Sequence, residues 1–381
     1  MQVPFNGFKG ETVCEKKIVI NIMAKRLPGK STKQPVRKSR KKGLHYRWWF
    51  IGAFFFVAIC GTLFWAFSSI ASFRSSKVYY YNPFPATAEA FADSLKSKGY
   101  IRSSLPLQWG FKYQEIATLK PGLYVIEHGR SGFGLAASIQ RKGVKDYVEI
   151  EIDVFKNRNN VLPSLEKQTG VSLKKLKELM RDKDFLDSLG DYNKENAWAM
   201  FVAGVYRFPR NFTERELLEN IYDAHLFYWN AEKRKLANAA GLTSDEAMIL
   251  ASIVYAETKD VSEMPLISGV YINRLKKKMR LQADPTVLYG ANALQANRVR
   301  EKHLKVRSKY NTYIYKGLPP GPIGIPSQEA MHAVLHYNEH NYIYFCAKDD
   351  FSGCHNFAED FEGHKSNADK LRKALDKRKV R

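Results

Sequence analysis

A chain of 381 residues with 45% hydrophobic content can bury a sizeable core, which excludes a disordered polymer and leaves room for two or three domains. The net charge of +23 raises nucleic acid as a partner, but between Met1 and Arg47 there are 13 Lys or Arg against only Glu11 and Glu15, so this tail carries +11 of the total. The remainder is mildly basic, and no nucleic-acid partner is expected.

The tail, residues 1–47, is densest in VRKSRKKGLHYR (Val36 to Arg47) and runs directly into 26 uncharged residues, Trp48 to Phe73. As a helix that stretch is roughly 39 Å long, enough to cross a hydrocarbon core of about 30 Å. The expectation is a single transmembrane helix over 48–73, with the basic side cytoplasmic and everything after Arg74 outside. A cleaved signal peptide is the competing reading, but the stretch is too long and shows no small-residue cleavage site. Met23 opens MAKRLPGK, which reads as a second candidate start. Of the four cysteines, Cys14 falls in the tail and Cys60 in the span. Cys346 and Cys354 flank AKDDFSG, which reads as a hairpin tip, where they are either free thiols or a disulfide.

After the span, VYYY (Val78 to Tyr81) reads as a strand and Ala86 to Gly99 as a helix with Phe91 and Leu95 inward. LYVI (Leu123 to Ile126) reads as a strand, Gly134 to Gly143 as a short helix, and DYVEIEID (Asp146 to Asp153) alternates with period two. These elements predict a small α/β domain over 74–156. From Val161 the pattern turns helical. Thr213 with Glu216 and Thr243 with Glu246 each have the spacing of a capping box, predicting one long helix from Thr213 towards Ala240 and another after Thr243. A helix over Met264 to Lys278 follows, then a Pro-, Gly- and Tyr-rich region, a helix near Ser327, strands around YIYFC (Tyr342 to Cys346) and a basic helical end. The fold class expected is α+β, with residues 157–381 forming a mainly helical second domain.

On the helix after Thr243, Glu257 lies seven, four and three positions beyond Leu250, Ile253 and Val254, so an acid occupies the apolar stripe. Burial disfavours a carboxylate and raises its pKa, which keeps a proton available for a leaving group near neutral pH. The bland alternative is a glutamate at a helix end reaching out to solvent. Asn273 shares a stripe with Leu266 and Val270 and must find hydrogen-bond partners, whether Glu257, a ligand or another element. Arg274, followed by Lys276 to Lys278, reads as a solvated basic helix end. The segments Arg280 to Gly290, Tyr310 to Ser327 and Gly353 to Phe357 suit a carbohydrate cleft or a Pro-rich surface loop packed by its own tyrosines. His332, His336 and His340 share helical spacing, but no Glu-flanked His pair accompanies them and no metal is expected.

Taken together, the strings ILASIVYAET (Ile249 to Thr258), SGVYINRL (Ser268 to Leu275), MRLQADPTVLYG (Met279 to Gly290), YNTY (Tyr310 to Tyr313), GLPPGPIGIPS (Gly317 to Ser327), YIYFCAKDDFSGCHNF (Tyr342 to Phe357) and EGH (Glu362 to His364) resemble the endolytic murein transglycosylase family (MltG, YceG-like). Weaker similarity covers LKPGLYVI (Leu119 to Ile126) and VYRFPRNFT (Val205 to Thr213). The resemblance implies a LysM-like α/β domain before the catalytic domain, with Glu257 as the single catalytic acid and base and no cofactor. It also implies that Asn273, Gln282, Asp284, Tyr310 and Asn311 line or shape the cleft. Its implied partners are peptidoglycan glycan strands, the cytoplasmic membrane and the peptidoglycan synthases of elongation or division. Two departures stand out: Tyr255 occupies a position where many relatives carry a second Glu, and the stretch before VYRFP lacks the usual Glu-Gly and Pro-Asp pattern. A two-carboxylate hydrolase using Glu257 and Asp284, and a non-catalytic glycan-binding or division-complex scaffold, are the alternatives carried forward.

Overall fold

The computed structural model describes residues 43–378 apart from Val144, Lys156 and Asn297. The expected basic tail, as far as position 42, and the choice between Met1 and Met23 therefore lie outside the described residues. The uncharged stretch forms α1 (Gly43–Phe67). None of the 18 residues Trp48–Trp65 is buried against protein, so the helix presents apolar surface all round, which is compatible with a membrane anchor. The helix stops short of the expected 48–73. Ile70, Ala71 and Phe73 are buried among the side chains of the folded part that follows. Lack of charge marks a membrane helix and a buried extended segment alike, which is why the sequence ran the two together.

The chain divides into two units between Val57 and Ala58, within α1, and all further elements belong to the second. Its first core is built by β1 (Lys77–Asn82), β2 (Ala86–Thr87), α2 (Ala88–Ser97), α3 (Leu105–Tyr113), β3 (Thr118–Leu119), β4 (Gly122–Glu127) and α4 (Gly132–Lys142). β1 and β4 pair antiparallel, from Lys77 opposite Glu127 to Asn82 opposite Gly122, and the short β2 and β3 pair beside them. Thr87 caps α2 by accepting a hydrogen bond from the Ala90 amide at 3.2 Å. That fixes the helix phase so that Phe91 and Leu95, one turn apart, both point inward and are fully buried. Phe91 meets Tyr80 and Tyr124 edge-on at 5.2 and 4.9 Å. Burial of each such side chain contributes about 1.5–3 kcal/mol.

The second core begins earlier than expected. β5 (Tyr147–Ile152) was assigned by its alternation to the 74–156 domain, yet it pairs antiparallel with β6 (Gly204–Pro209). Its Ile150 and Ile152 pack with α5 (Val161–Thr169), α6 (Leu173–Leu179), α7 (Lys183–Leu189) and α8 (Glu214–Tyr228). Alternation tells which face of a strand is buried, but not which distant strand completes it. Thr213 makes its capping box, with both reciprocal bonds present. The single long helix expected after it is two, α8 and α9 (Ala231–Ala239), because Asn230 accepts from the Lys233 amide at 2.9 Å and starts a new helix.

The third core is formed chiefly by α10 (Ser244–Glu257), α11 (Met264–Lys276) and α14 (Gln328–Leu335). Between α11 and α14 run the short α12 (Asp284–Gly290) and α13 (Glu301–Leu304) and the Pro/Gly-rich segment. β7 (Tyr344–Ala347) and β8 (His355–Ala358) make the expected hairpin, and α15 (Phe361–Lys377) closes the fold. Cys346 and Cys354 are free thiols.

Candidate active site

The site begins with the start of α10. Thr243 accepts from the Glu246 amide at 3.2 Å while the Glu246 carboxylate accepts from the Thr243 amide at 2.8 Å. Such a cap contributes about 1 kcal/mol and sets the helix phase. Leu250, Ile253 and Val254 are fully buried, and Glu257 follows on the same stripe as the last helical residue. Thr258 is extended and ends the helix there.

Glu257 is partly buried, and one partner orients it: the Tyr271 hydroxyl of α11 donates to Oε1 at 2.7 Å. Desolvation raises the Glu257 pKa to about 7, and the nearby charge of Asp284 pushes the same way. The Tyr271 hydrogen bond and the Arg274 charge oppose the rise without reversing it. Tyr271 is itself buried, and desolvation together with the carboxylate holds its hydroxyl well above the ordinary tyrosine range. It therefore remains a donor, and Glu257 keeps a second oxygen on which to carry a proton.

The helix α11 also holds the 338–343 segment. At Gly269 a Cβ would lie 2.5 Å from the Asn338 carbonyl oxygen and 2.5 Å from His340 Nε2, so only glycine lets the 338–342 segment pass so close. Asn273 Nδ2 donates to the carbonyls of His340 at 2.7 Å and Tyr342 at 3.0 Å. Asn273 thus shapes the site by tying down that segment, the element-to-element option left open for it by sequence. The solvated helix end expected at Arg274 is not found. Arg274 is buried, donates from Nε to the Ile343 carbonyl at 2.6 Å and from Nη1 to the Leu281 carbonyl at 2.7 Å, and lies over the Tyr344 ring. Its neighbours in sequence are lysines, but its planar fork matches two converging backbone segments that a solvated end would not meet.

The 280–313 segment, which brings Asp284 into the neighbourhood of Glu257, is backbone held by point contacts. Gln282 is exposed and adopts a positive φ of 50°, a strained conformation costing about 1–3 kcal/mol outside glycine. Its amide bonds the Thr312 carbonyl at 3.2 Å, the next amide, Ala283, bonds Thr312 Oγ1 at 2.9 Å, and Thr286 Oγ1 lies 2.8 Å from that same hydroxyl. This clamp brings Asp284, at the start of α12, to Tyr313, whose hydroxyl donates to its Oδ1 at 2.7 Å. The turn residue before Pro285 therefore also carries charge into the neighbourhood of Glu257. The Pro/Gly-rich segment is pinned to α10 by the Ile323 amide, which donates to Ser252 Oγ at 3.2 Å. Gly321 is needed in it, because a Cβ would lie 1.9 Å from the Glu195 carbonyl oxygen.

Two of the residues expected to line or shape the cleft are buried. Asn311 is 1% exposed, donates to the carbonyls of Leu304 and Val306 at 2.9 Å each, and accepts from the Tyr313 amide at 3.0 Å. It shapes the loop and is closed to a ligand. Tyr310 is 8% exposed, with its ring tilted against that of Tyr289 at 4.7 Å and 5.3 Å from the Arg158 guanidinium, in the third core. Of the predicted residues, Glu257 and Asp284 share one electrostatic site, Gln282 sets the backbone beside it, and Asn273, Tyr310 and Asn311 support it. Tyr271 and Tyr313 were missed. Both sit inside the strings singled out, but a hydroxyl that meets a carboxylate across two elements has no local spacing to mark it.

The three histidines do not converge: His332 and His336 stack ring on ring at 4.2 Å, whereas His340 lies against the Leu266 carbonyl. Among the described residues, metal-type donor atoms gather at Asp260, Glu263 and Cys354. There Glu263 already accepts from the His355 amide at 2.7 Å and lies 2.8 Å from His355 Nδ1, which fastens the hairpin tip to the start of α11.

Residues 83–370 match the YceG-like family. An endolytic murein transglycosylase of Bacillus subtilis (strain 168) is 29% identical over 282 residues, covering 70% of this chain and 77% of the relative. The protein of the same name from Streptococcus pneumoniae (strain ATCC BAA-255 / R6) is 24% identical over 317 residues, covering 75% of this chain but only 56% of the relative. A crystal structure of a yceG-like protein from Listeria monocytogenes is 22% identical, with a TM-score of 0.49 over 76% of this chain and 98% of the other.

Proposed function

Because the chain belongs to the YceG-like family, we propose that it is an endolytic peptidoglycan lytic transglycosylase with Glu257 as its acid and then its base. The observation that carries this reading is a desolvated carboxyl group within the family strings, its pKa raised to about 7 and one of its oxygens held by Tyr271. Relatives named endolytic murein transglycosylases support the substrate class.

In the proposed reaction neutral Glu257 gives its proton to the oxygen joining N-acetylmuramic acid C1 to N-acetylglucosamine O4, and the C1–O bond breaks. The carboxylate so formed takes the proton from the muramyl 6-hydroxyl as that oxygen closes onto C1. The products are a 1,6-anhydromuramyl end and a free 4-hydroxyl, and Glu257 is protonated again. A pKa near neutrality suits both transfers. Asn273 and Arg274 fix one wall, Gln282 and Asp284 the other, and Tyr310 and Asn311 brace the second wall from behind.

A retaining or inverting hydrolase needs a second carboxylate as nucleophile or base. Asp284 is the residue available for that role, but its Oδ1 is engaged by Tyr313 and its charge raises the Glu257 pKa. The proposed arrangement is a LysM-like domain carried by β1 to α4, an α1 anchor with its basic side cytoplasmic, and a catalytic domain on the outer face near the synthases that make its substrate. Digestion of purified peptidoglycan, with mass spectrometry of the fragments, tests the activity. Anhydromuramyl ends from the wild type that vanish in Glu257→Gln are expected. Reducing ends would establish the hydrolase, and a folded wild type that yields no fragments would leave the scaffold.

A further inference from the structure

A cavity of about 570 Å³ lies apart from Glu257, between β1 of the first core and β6, α8 and α9. None of its lining residues comes from α10, α11 or the 280–326 segment. Its volume is within the usual 300–1,000 Å³ of small-molecule sites. Aromatic side chains line it, among them Tyr79, Tyr100, Tyr206 and Tyr228, with the amides Asn220 and Asn230; Tyr100 stacks on Phe227 at 4.5 Å and Tyr206 on Phe208 at 5.8 Å.

The charge in its wall is unbalanced. Lys98, Lys233 and Arg234 have no carboxylate oxygen within 4 Å among the described residues, although Lys233 and Arg234 are both partly buried. Lys233 Nζ sits 3.6 Å from the centre of the Tyr228 ring and Lys98 Nζ 5.2 Å from that of Tyr80. Burial lowers the pKa of Lys233 and of Arg234, and the Arg74 charge adds to the effect on Arg234. Arg207 pairs with Glu149 at 2.7 Å, but its buried Nε has no hydrogen-bond partner. One acid, Asp223, lines the cavity, and its two oxygens accept from the amide and hydroxyl of Ser76 at 3.3 Å each. Partly desolvated cations without carboxylate partners are costly unless an anion completes them. Aromatic side chains beside amides favour a sugar ring as the carrier of that anion.

We propose that this cavity is a second glycan site, which holds a muramyl residue freed of its stem peptide, with Lys233, Arg234 and Lys98 at the exposed lactyl carboxylate and the tyrosine side chains beside the ring. The inference rests on the peptidoglycan reading above. A strand held both here and at Glu257 is kept at high local concentration near the acid after each cut, which favours long strands over short fragments.

The test uses the full chain in detergent micelles, carrying Glu257→Gln so that bound strands are not cut. The probes are amidase-stripped glycan strands, which bear one lactyl carboxylate on each muramyl residue, and neutral chitohexaose. Adding Lys233→Ala with Arg234→Ala is expected to weaken strand binding about tenfold and flatten its salt dependence, with chitohexaose affinity changed less than about twofold. Strand affinity within twofold of the parent overturns the site, and an equal loss for both probes overturns the assignment of the cations to a carboxylate. If the double variant melts early, Lys98→Gln at an exposed position carries the test, with a loss of about twofold to threefold expected and no change overturning it. Normal strand binding by the double variant, when the wild type yields anhydromuramyl ends, defeats this inference alone. An intact wild type that neither binds nor cuts strands defeats it together with the reading beneath it.

Discussion

The two walls around Glu257 are built by opposite means. The α10 and α11 side is regular helix with a reciprocal cap, apolar stripes and a buried Tyr271 to Glu257 bond. The 280–313 side is loop and one short helix, placed by a few hydrogen bonds through Thr312, a strained Gln282 and a Tyr313 to Asp284 contact. Glu257, the proposed acid and base, is on the helical side. The loop side contributes charge and shape, and Arg274 joins the two by donating to the Leu281 and Ile343 carbonyls.

If that division holds, Glu257→Gln should lower the rate of anhydromuramyl release by about 10²–10⁴-fold, the usual weight of a general acid and base. The same variant should alter stability with pH. The folded-state pKa of Glu257, about 7, is above its ordinary carboxyl value, so the folded chain binds the extra proton and loses stability as pH rises from about 4.5 through 7. Glutamine escapes that loss. Thermal or urea melts should therefore show Glu257→Gln gaining on the wild type, on the order of 2 kcal/mol, between pH 4 and pH 9. An unchanged difference would mean the carboxyl group is not desolvated.

Arg274→Ala breaks the joint between the walls. It leaves the buried Leu281 carbonyl and the partly buried Ile343 carbonyl without their charged donor, and a loss of about 2–4 kcal/mol is expected in urea unfolding. Arg274→Lys, with one donor centre in place of a planar fork, should recover only part of it. A loss under about 0.5 kcal/mol would return Arg274 to the solvated helix end that its sequence neighbours suggest.

Tyr271→Phe sharpens the rigid side without emptying it. Because the hydroxyl opposes the rise in the Glu257 pKa, its removal should shift the alkaline limb of the pH–rate profile upward and slow turnover about tenfold at neutral pH. Asp284→Asn probes the loop side and has the opposite sign. Loss of a charge that raises the Glu257 pKa should move the alkaline limb downward, with a rate change of only a few-fold. A thousandfold loss in Asp284→Asn, with reducing ends from the wild type, would instead make Asp284 the second acid of a hydrolase.

The rigid wall was largely legible in the sequence because its signals are local. A Thr and a Glu three apart make a capping box whatever surrounds them, and Glu257 stands out simply by sharing a 3.6-residue stripe with Leu250, Ile253 and Val254. The same local logic placed the strands at 77–82 and 122–127 and the inward faces of Phe91 and Leu95. It failed where the deciding partner was distant: β5 joined β6 across some fifty residues, and Ile70 to Phe73 left the span for a core. The division of a helix at Asn230 is a different miss, since that cap is local, its side chain accepting from the Lys233 amide three residues on.

What the sequence determined by itself, then, was the apolar helix, the family motifs and the acid on its stripe. Each is written in residue type and in spacing along the chain. Only the tertiary structure decided what that acid touches and how its neighbours share the work. Tyr271, Asp284 and Arg274 meet or influence it because two helices and a loop converge, and their effects on its pKa fall off with distance in space. The same convergence gave the Asn273 and Asn311 amides backbone carbonyls as partners, among the options of lining or shaping the cleft that the sequence had left open.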